Sequence, residues 1–155
     1  MIEIKKILFP ADFSENVNRI LPYAVGVAAK YKSKLILLYV AQDLAASGMY
    51  SFVPHPAAAS FTNEIVSGAK KAMGKMCEEY AELLKACPDY EAKIVIGDPV
   101  TEIIKAIKSE NIDMVVMGTH GRKGLEHTIF GSVAENVVKK SPVPVMTINP
   151  HKVKS

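Results

Sequence analysis

The sequence predicts a single α/β domain built on an open parallel β-sheet with helices on both faces. Short, almost continuously apolar runs, such as residues 7–9, 35–40 and 114–117, suit strands that are covered on both faces. Between these runs, apolar residues recur at helical spacing. Strands that alternate with helices are typical of the α/β class, and 155 residues is one-domain length. We assign residues 1–150 to the domain and 151–155 to a short polar tail.

The first predicted strand, residues 5–10, leads into a helix whose apolar positions recur from Val17 to Ala28. Asp12 and Glu15 have the spacing of a capping box for this helix, and Ser14 is a competing cap. Asp12 also follows the carboxyl end of a strand, which is where open α/β sheets bind ligands. A cap and a ligand contact are therefore both open to this carboxylate.

Residues 35–40 form the second predicted strand. The stretch 44–60 that follows carries no charge and has no convincing period, which is typical of a functional or mobile segment. A long amphipathic helix is predicted over residues 65–84, and a third strand over 92–96. Asp98 is then predicted to cap a helix with Pro99 at its first position.

The fourth strand is predicted over residues 113–117, the last helix over 132–140 and the fifth strand over 141–148. Pro144 cannot donate a hydrogen bond to a neighbouring strand, so the start of the fifth strand should lie at a sheet edge. An apolar edge strand is prone to aggregation unless it is covered or paired. Pairing with its twin in a second subunit would remove that hazard.

The segment GTHGRKGLEHTIFGS, residues 118–132, connects the fourth strand to the last helix and is called the glycine loop below. Glycine allows backbone amides to approach a ligand closely, and a helix N-terminus favours phosphate. Arg122 and Lys123 add positive charge, while Thr119 and Ser132 add hydroxyl groups. We predict a phosphate-binding loop for a nucleotide. A connection that binds nothing is the alternative, and neither a P-loop nor a dinucleotide GxGxxG motif is present.

The spacing of Gly118, Gly121 and Gly131, followed directly by Ser132, resembles the ATP-binding signature of the universal stress protein family. The resemblance extends over nearly the whole chain, through KKILFPADFSE, KLILLYV and VAENVVKKSPVPVMTI. It implies a five-stranded sheet in the order 3-2-1-4-5. Strands 1 and 4 would then be neighbours, and the residues that follow them would flank one crevice.

The same resemblance implies an ATP site, with Mg²⁺ or Mn²⁺, and a homodimer through the last strand. Asp12 would lie close to the adenosine, the backbone at Val40 would recognise adenine, and Ala11 would contribute through its backbone. The expected nucleotide-binding residues are Pro10, Ala11, Asp12, Val40, Met117, Gly118, Thr119, His120, Gly121, Arg122, Gly131, Ser132 and Val133.

The hydroxyl and basic side chains of the glycine loop suit ATP binding better than ATP hydrolysis. His120 could be a base, but we interpret it as a contact or a solvent-facing residue, and no arrangement of Ser, His and Asp indicates nucleophilic catalysis. The predicted function is an ATP-binding stress regulator with at most slow hydrolysis. An ATPase or phosphotransferase is one alternative. The other is a protein-interaction module with an empty loop, which would use the 44–60 stretch or the dimer face.

Composition excludes several other classes. The net charge of +3 is small and the basic residues are scattered, which argues against nucleic-acid binding. No apolar run is long enough to span a bilayer and the first residues lack a signal-peptide core, so we expect a cytoplasmic protein without a membrane partner. Cys77 and Cys87 are predicted to be buried or inert thiols, and no metal site is expected. An unidentified protein partner remains compatible with the sequence.

Overall fold

The structure is a computed structural model that describes residues 1–42, 55–120 and 130–154. Strands and helices follow one another along these ranges. Their bounds are β1 Lys6–Ala11, α1 Val17–Tyr31, β2 Lys34–Ala41, α2 His55–Glu79, α3 Ala81–Leu84, β3 Asp89–Ile96, α4 Pro99–Ser109, β4 Met114–Gly118, α5 Ser132–Lys140 and β5 Val145–Ile148.

The sheet is parallel and its strand order is β3-β2-β1-β4-β5, which confirms the predicted fold class and order. Ile7 on β1 pairs with Leu35 on β2 and with Met114 on β4, so β1 lies at the centre. From β1 the chain continues to β2 and β3 on one side, and it later adds β4 and β5 on the other side of β1. The carboxyl ends of β1 and β4 therefore meet at the topological switch point.

Both faces of the sheet are covered. Because side chains alternate along a strand, Ile7 and Phe9 pack on one face with α1 and α2, while Leu8 packs on the other with α4 and α5. All three side chains are at most 1% exposed. Burial of each of these side chains contributes about 1.5–3 kcal/mol to folding. A strand that is covered on both faces therefore needs apolar residues at nearly every position, and this is the pattern that predicted the strands.

The last strand lies at an edge, as Pro144 predicted. The carbonyl oxygen of Pro144 accepts a hydrogen bond from the amide of Val115 at 2.9 Å, so the proline contributes the one backbone group that it can. The strand begins at Val145 rather than at residue 141. The hydroxyl of Ser141 both donates to the carbonyl of Val143 and accepts from its amide, which holds this stretch in a turn.

The second helix differs most from its prediction. It begins at His55, ten residues early, so part of the 44–60 stretch is helical, and residues 44–54 lie outside the described ranges. Alanine-rich sequence such as residues 57–59 favours helix without an amphipathic period, which is why periodicity missed this start. The predicted helix also divides at Tyr80, whose φ of −102° and ψ of 17° depart from helical values.

Asp12 does not cap α1, so that prediction was wrong. The helix begins at Val17, and the Asp12 carboxylate instead accepts a hydrogen bond from the amide of Ser14 at 2.9 Å. Phe13 has φ of +58° and turns the chain away from the helical path between them. The Ser14 hydroxyl is buried and has no hydrogen-bond partner among the described residues, so it is not a cap either.

The cap of α4 is as predicted. The Asp98 carboxylate accepts a hydrogen bond from the amide of Thr101 at 2.9 Å and another from its hydroxyl at 2.8 Å. Pro99 occupies the first turn, where its missing N–H leaves no hydrogen bond unmade. This cap starts the helix at the correct residue and directs Ile103 and Ile107 into the core.

Candidate functional site

A cleft of about 790 Å³ opens at the carboxyl ends of β1, β2 and β4, beside the N-terminus of α5. This volume is typical of small-molecule sites, and the position is where open α/β sheets bind ligands. Gly121 and Arg122 lie outside the described residues. The other residues expected at the nucleotide all line the cleft, and they are Pro10, Ala11, Asp12, Val40, Met117, Gly118, Thr119, His120, Gly131, Ser132 and Val133.

The two ends of the glycine loop meet in this cleft. The amide of Thr119 donates to the carbonyl of Ile148 at 2.9 Å, and the amide of Gly131 donates to the carbonyl of Thr119 at 2.6 Å. A Cβ atom at Gly131 would lie 3.0 Å from that carbonyl oxygen. Because φ at Gly131 is an ordinary −71°, close backbone approach is the reason for glycine here, not positive φ.

Helix α5 presents its N-terminus to the cleft. Gly131 precedes the helix and has no side chain that could cap it. The amides of Ser132, Val133 and Ala134, all cleft-lining residues, have no acceptor within the first turn of the helix. These donors and the positive end of the helix dipole favour an anion at this end of the cleft.

Gly118 allows α1 to approach β4. A Cβ atom at this glycine would lie only 2.4 Å from Cδ1 of Ile20 and 3.2 Å from the carbonyl oxygen of His120. Ile20 is itself a buried residue that lines the cleft. A side chain at position 118 would therefore displace Ile20 at the floor of the site, and glycine leaves room for it.

His120 is 3% exposed, so the solvent-facing interpretation of this residue was wrong. Its Nδ1 lies 2.7 Å from the hydroxyl oxygen of Thr119, which is 5% exposed. Its ring lies edge-on to the ring of His151, with 5.3 Å between centroids. No motif in the sequence points to this second histidine, because it follows the last strand and reaches His120 only through the fold.

Asp12 is the one carboxylate among the described residues that line the cleft, and no lysine or arginine is among them. Its Oδ1 accepts the hydrogen bond from Ser14, and Oδ2 makes no hydrogen bond to a described residue. A carboxylate oxygen without a donor from the protein can accept a hydrogen bond from a ligand, and its negative charge repels phosphate. The Asp12 side of the cleft thus suits a hydroxylated group, and the α5 side suits the anion.

Several cleft residues were missed by the sequence analysis. Tyr39 and Gln42 follow from the carboxyl-end rule, applied to β2 as it was to β1. Phe130 directly precedes Gly131 and adds an apolar wall. Ile65 on α2 has no signal in the sequence beyond helical periodicity, because its place at the cleft depends on how that long helix crosses the sheet.

The remaining expectations concern thiols, metals and membranes. Burial raises the pKa of Cys77 and of Cys87. In ranges 1–42, 55–120 and 130–154, no cluster of three or more His, Cys, Asp or Glu side chains could hold a metal ion. Among the described helices, none combines the length and apolarity needed to cross a bilayer.

Comparison with known proteins gives consistent results. The model of the universal stress protein family matches residues 3–149. Universal stress protein MJ0577 of Methanocaldococcus jannaschii is 32% identical over 93% of this chain and 94% of its own length. Universal stress protein UspA from Lactobacillus plantarum superposes with a TM-score of 0.78 at 25% identity, over 95% of this chain and 99% of that one.

A universal stress protein from Archaeoglobus fulgidus, solved in complex with dAMP, superposes with a TM-score of 0.63. The match covers 96% of this chain and 100% of that one at 17% identity. A likeness at this level of identity shows a shared fold and leaves the ligand of this chain to be argued from its own residues.

Proposed function

The chain belongs to the universal stress protein family, and from this premise we propose that it binds ATP in the cleft at the glycine loop. The observation that carries the proposal is the junction of Thr119 with Gly131 directly before the uncapped N-terminus of α5. Backbone donors converge there at the place where the family resemblance puts phosphate. The Archaeoglobus fulgidus universal stress protein, which shares this fold, was solved in complex with dAMP, so the fold itself is compatible with an adenine nucleotide.

The polarity of the cleft gives the nucleotide a direction. The phosphates lie at Gly131, Ser132 and Val133, where amides and the helix dipole favour negative charge. The adenosine lies toward Asp12 and Val40, away from that anion-binding end. Apolar side chains such as Met117 and Phe130 complete the walls. Arg122 belongs to the same proposed site by its position in the signature.

Mg²⁺ enters with the phosphates in this proposal. Magnesium prefers oxygen ligands and is usually held by substrate phosphates with one or two protein groups and several waters. The Ser132 hydroxyl fits such a role, and the described residues offer no acidic cage that would bind the ion alone. When bound, the ion would neutralise phosphate charge.

The protein acts as a binder and regulator in this proposal. Hydrolysis requires a positioned water molecule and neutralisation of the γ-phosphate. The single described carboxylate of the cleft, Asp12, lies on the adenosine side, while the donors of α5 are suited to hold phosphate without activating water. Bound ATP stabilises the arrangement of the glycine loop that it contacts, and a protein partner recognises that arrangement in the cytoplasm.

Nucleotide release from freshly purified protein tests the proposal. The protein is denatured, and the supernatant is analysed by ion-exchange chromatography for adenine nucleotide. ATP at near-stoichiometric yield is the expected result. A preparation free of nucleotide is then titrated with Mg-ATP by calorimetry. The absence of both released nucleotide and titratable binding would make the glycine loop structural and overturn the proposal, whereas released ADP with measured turnover would indicate an ATPase.

We propose further that β5 mediates a homodimer. The carbonyl of Pro144 accepts a hydrogen bond from Val115 on β4, and that of Ile148 accepts one from Thr119 directly after β4. Hydrogen bonding alternates along a parallel strand. The backbone groups of Val145 and Thr147 therefore point to the outer edge of the sheet. A second β5 strand satisfies them and removes the exposed apolar edge.

The replacement Thr147→Pro removes an outward N–H and leaves the hydrogen bonds to β4 in place. We expect this variant to sediment as a monomer, and Thr147→Val, which retains the N–H, to remain a dimer. Analytical ultracentrifugation measures both. A wild-type protein that sediments as a monomer, or a dimer that survives Thr147→Pro, would overturn the proposed interface.

A further inference from the structure

Phe13 has a left-handed backbone that its position in the chain does not explain. Besides Phe13, two described residues other than glycine have positive φ, Lys32 and Asn111. Lys32 directly follows α1 and Asn111 directly follows the last turn of α4, where left-handed residues commonly end helices. Phe13 lies between a strand and a helix. A bulky aromatic residue at φ of +58° is rare and strained.

The strained backbone determines what Asp12 can contact. With Phe13 in a helical conformation, Asp12 would have the capping position that its spacing predicts, and its carboxylate would serve α1. In the structure α1 begins at Val17. Of the two carboxylate oxygens of Asp12, only Oδ1 accepts a hydrogen bond from the residues between β1 and α1, and its donor is the amide of Ser14. Oδ2 makes no hydrogen bond to a described residue, and Asp12 lines the cleft.

The side chain of Phe13 holds this conformation in place. Its ring packs against the ring of Tyr39 with 4.3 Å between centroids and a tilt of 33°. Tyr39 pairs with Ala11 in the sheet and also lines the cleft. The ring contact therefore ties the strained turn to the neighbouring strand, and it connects the Asp12 side of the cleft with its Tyr39 wall.

We propose that Phe13 is a positioning residue for nucleoside recognition. Its left-handed backbone, fixed by the contact with Tyr39, directs the Asp12 carboxylate into the cleft, where Oδ2 accepts a hydrogen bond from a ribose hydroxyl. This inference rests on the proposed function and deepens it. It assigns to Phe13, which does not line the cleft itself, a part in sugar recognition that is exerted through Asp12.

A double-mutant cycle tests the inference with ATP as the calorimetric probe. Phe13→Ala removes the ring contact, and Asp12→Ala removes the acceptor oxygens. If Phe13 acts through Asp12, then Phe13→Ala weakens ATP binding about tenfold in the wild-type background and less than about twofold in the Asp12→Ala background. Equal fold losses in the two backgrounds, or no loss from Phe13→Ala, would overturn it.

Two further variants separate positioning from general damage to the fold. Phe13→Gly accepts positive φ without strain, so it should retain ATP affinity within about threefold of wild type. Phe13→Leu keeps apolar bulk, lacks the ring contact and should bind ATP as weakly as Phe13→Ala. The preference for ATP over 2′,3′-dideoxy-ATP should fall in the Leu and Ala variants and persist in the Gly variant.

The failures of the two proposals are distinguishable. If wild-type protein gives no ATP binding, the nucleotide site itself is absent and this inference falls with it. The other case is that wild-type protein binds ATP and prefers it over the dideoxy analogue. If Phe13→Leu then has the same ATP affinity and the same preference, only the positioning role of Phe13 is overturned. Thermal melts of every variant establish that the titrated protein is folded.

Discussion

The carbonyl oxygen of Thr119 accepts the amide hydrogen of Gly131 at an N···O distance of 2.6 Å, which joins two residues at opposite ends of the glycine loop. This bond brings the two ends of the loop together through backbone groups of the protein itself. Holding two loop ends together has an entropic cost, which the bond helps to offset. The proposed ATP site therefore has both anchors of its loop set by backbone contacts.

We expect Gly131→Ala to disrupt this junction. The new Cβ would lie 3.0 Å from the Thr119 carbonyl oxygen, and backbone yields less easily than a side-chain end. The variant should lose about 1–3 kcal/mol of stability and bind ATP at least about tenfold more weakly. Urea denaturation and calorimetry measure the two effects.

Gly74→Ala is the matched control for that change. Gly74 lies in α2, and a Cβ atom there would meet nothing within 4 Å. This variant should gain about 0.5–1 kcal/mol of stability because alanine is the better helix former, with unchanged ATP affinity. If both glycine variants bound ATP equally well, the Thr119–Gly131 junction would have no part in nucleotide binding.

The cap of α4 makes a pH-dependent contribution to stability. The backbone amide of Thr101, followed by its hydroxyl, holds the pKa of Asp98 below the ordinary value of 3.8. A lowered carboxylate pKa stabilises the fold above that ordinary value, and the stabilisation is lost as pH falls through the lower folded-state pKa. We expect Asp98→Ala to cost about 1 kcal/mol at neutral pH.

The replacement Asp98→Asn separates the cap from its charge. Asparagine accepts the same amide hydrogen bond, so stability at neutral pH should remain close to wild type. Because the pKa of Asp98 is lowered in the folded wild-type protein, wild type loses stability as this carboxylate becomes protonated. The urea midpoint of Asp98→Asn should therefore decrease less than that of wild type between about pH 5 and pH 3. A decrease identical to that of wild type would show that other carboxylates determine acid stability.

The two cysteines should react slowly in the folded protein. Burial raises the pKa of both thiols, so at neutral pH they are protonated, and the thiolate is the reactive form. Cys77 is half-buried and Cys87 is buried, so Cys77 should react first with a chromogenic disulfide reagent. Cys77→Ser should remove the faster phase. Rapid reaction of both thiols without denaturant would contradict the burial of Cys87.

Arg19 fastens the residues that follow β5. Its Nη1 donates to the carbonyl of Pro150 at 2.9 Å, and Val153 packs against the core on the same side. Loss of this hydrogen bond in Arg19→Ala should destabilise the docked segment by about 1 kcal/mol. The backbone amides of residues 149–154 should therefore undergo hydrogen–deuterium exchange about fivefold faster. Asn18→Ala, the exposed neighbour on α1, is the control. Equal exchange in both variants would show that Arg19 does not hold this segment.

The sequence predicted the parts of the fold that depend on local chemistry. The β1 run Ile7–Phe9 and the Asp98–Pro99 helix start are specified by burial and capping, which a single stretch of sequence reports. The strand order depends on contacts between distant segments, and the residues alone did not provide it. It came from the resemblance to a known family and was confirmed by the sheet.

The candidate site was predictable wherever the end-of-strand rule applied, as at Asp12 and Gly118. The left-handed turn at Phe13 was not, because its stability depends on a contact with Tyr39 on another strand. The burial of His120 against His151 was missed for the same reason. Gly121 and Arg122 stay predictions, since they lie outside the described residues.

The central place of β1 also determines when this protein is most vulnerable. Lys6 and Asp113, which join β1 to the start of β4, are 107 residues apart in the chain. During synthesis β1 can pair with β2 early, but its other edge has no partner until β4 has left the ribosome. An apolar strand with an open edge is prone to associate with other chains. The nascent protein therefore needs protection longer than its small size suggests, and a fragment that ends before β4 should aggregate.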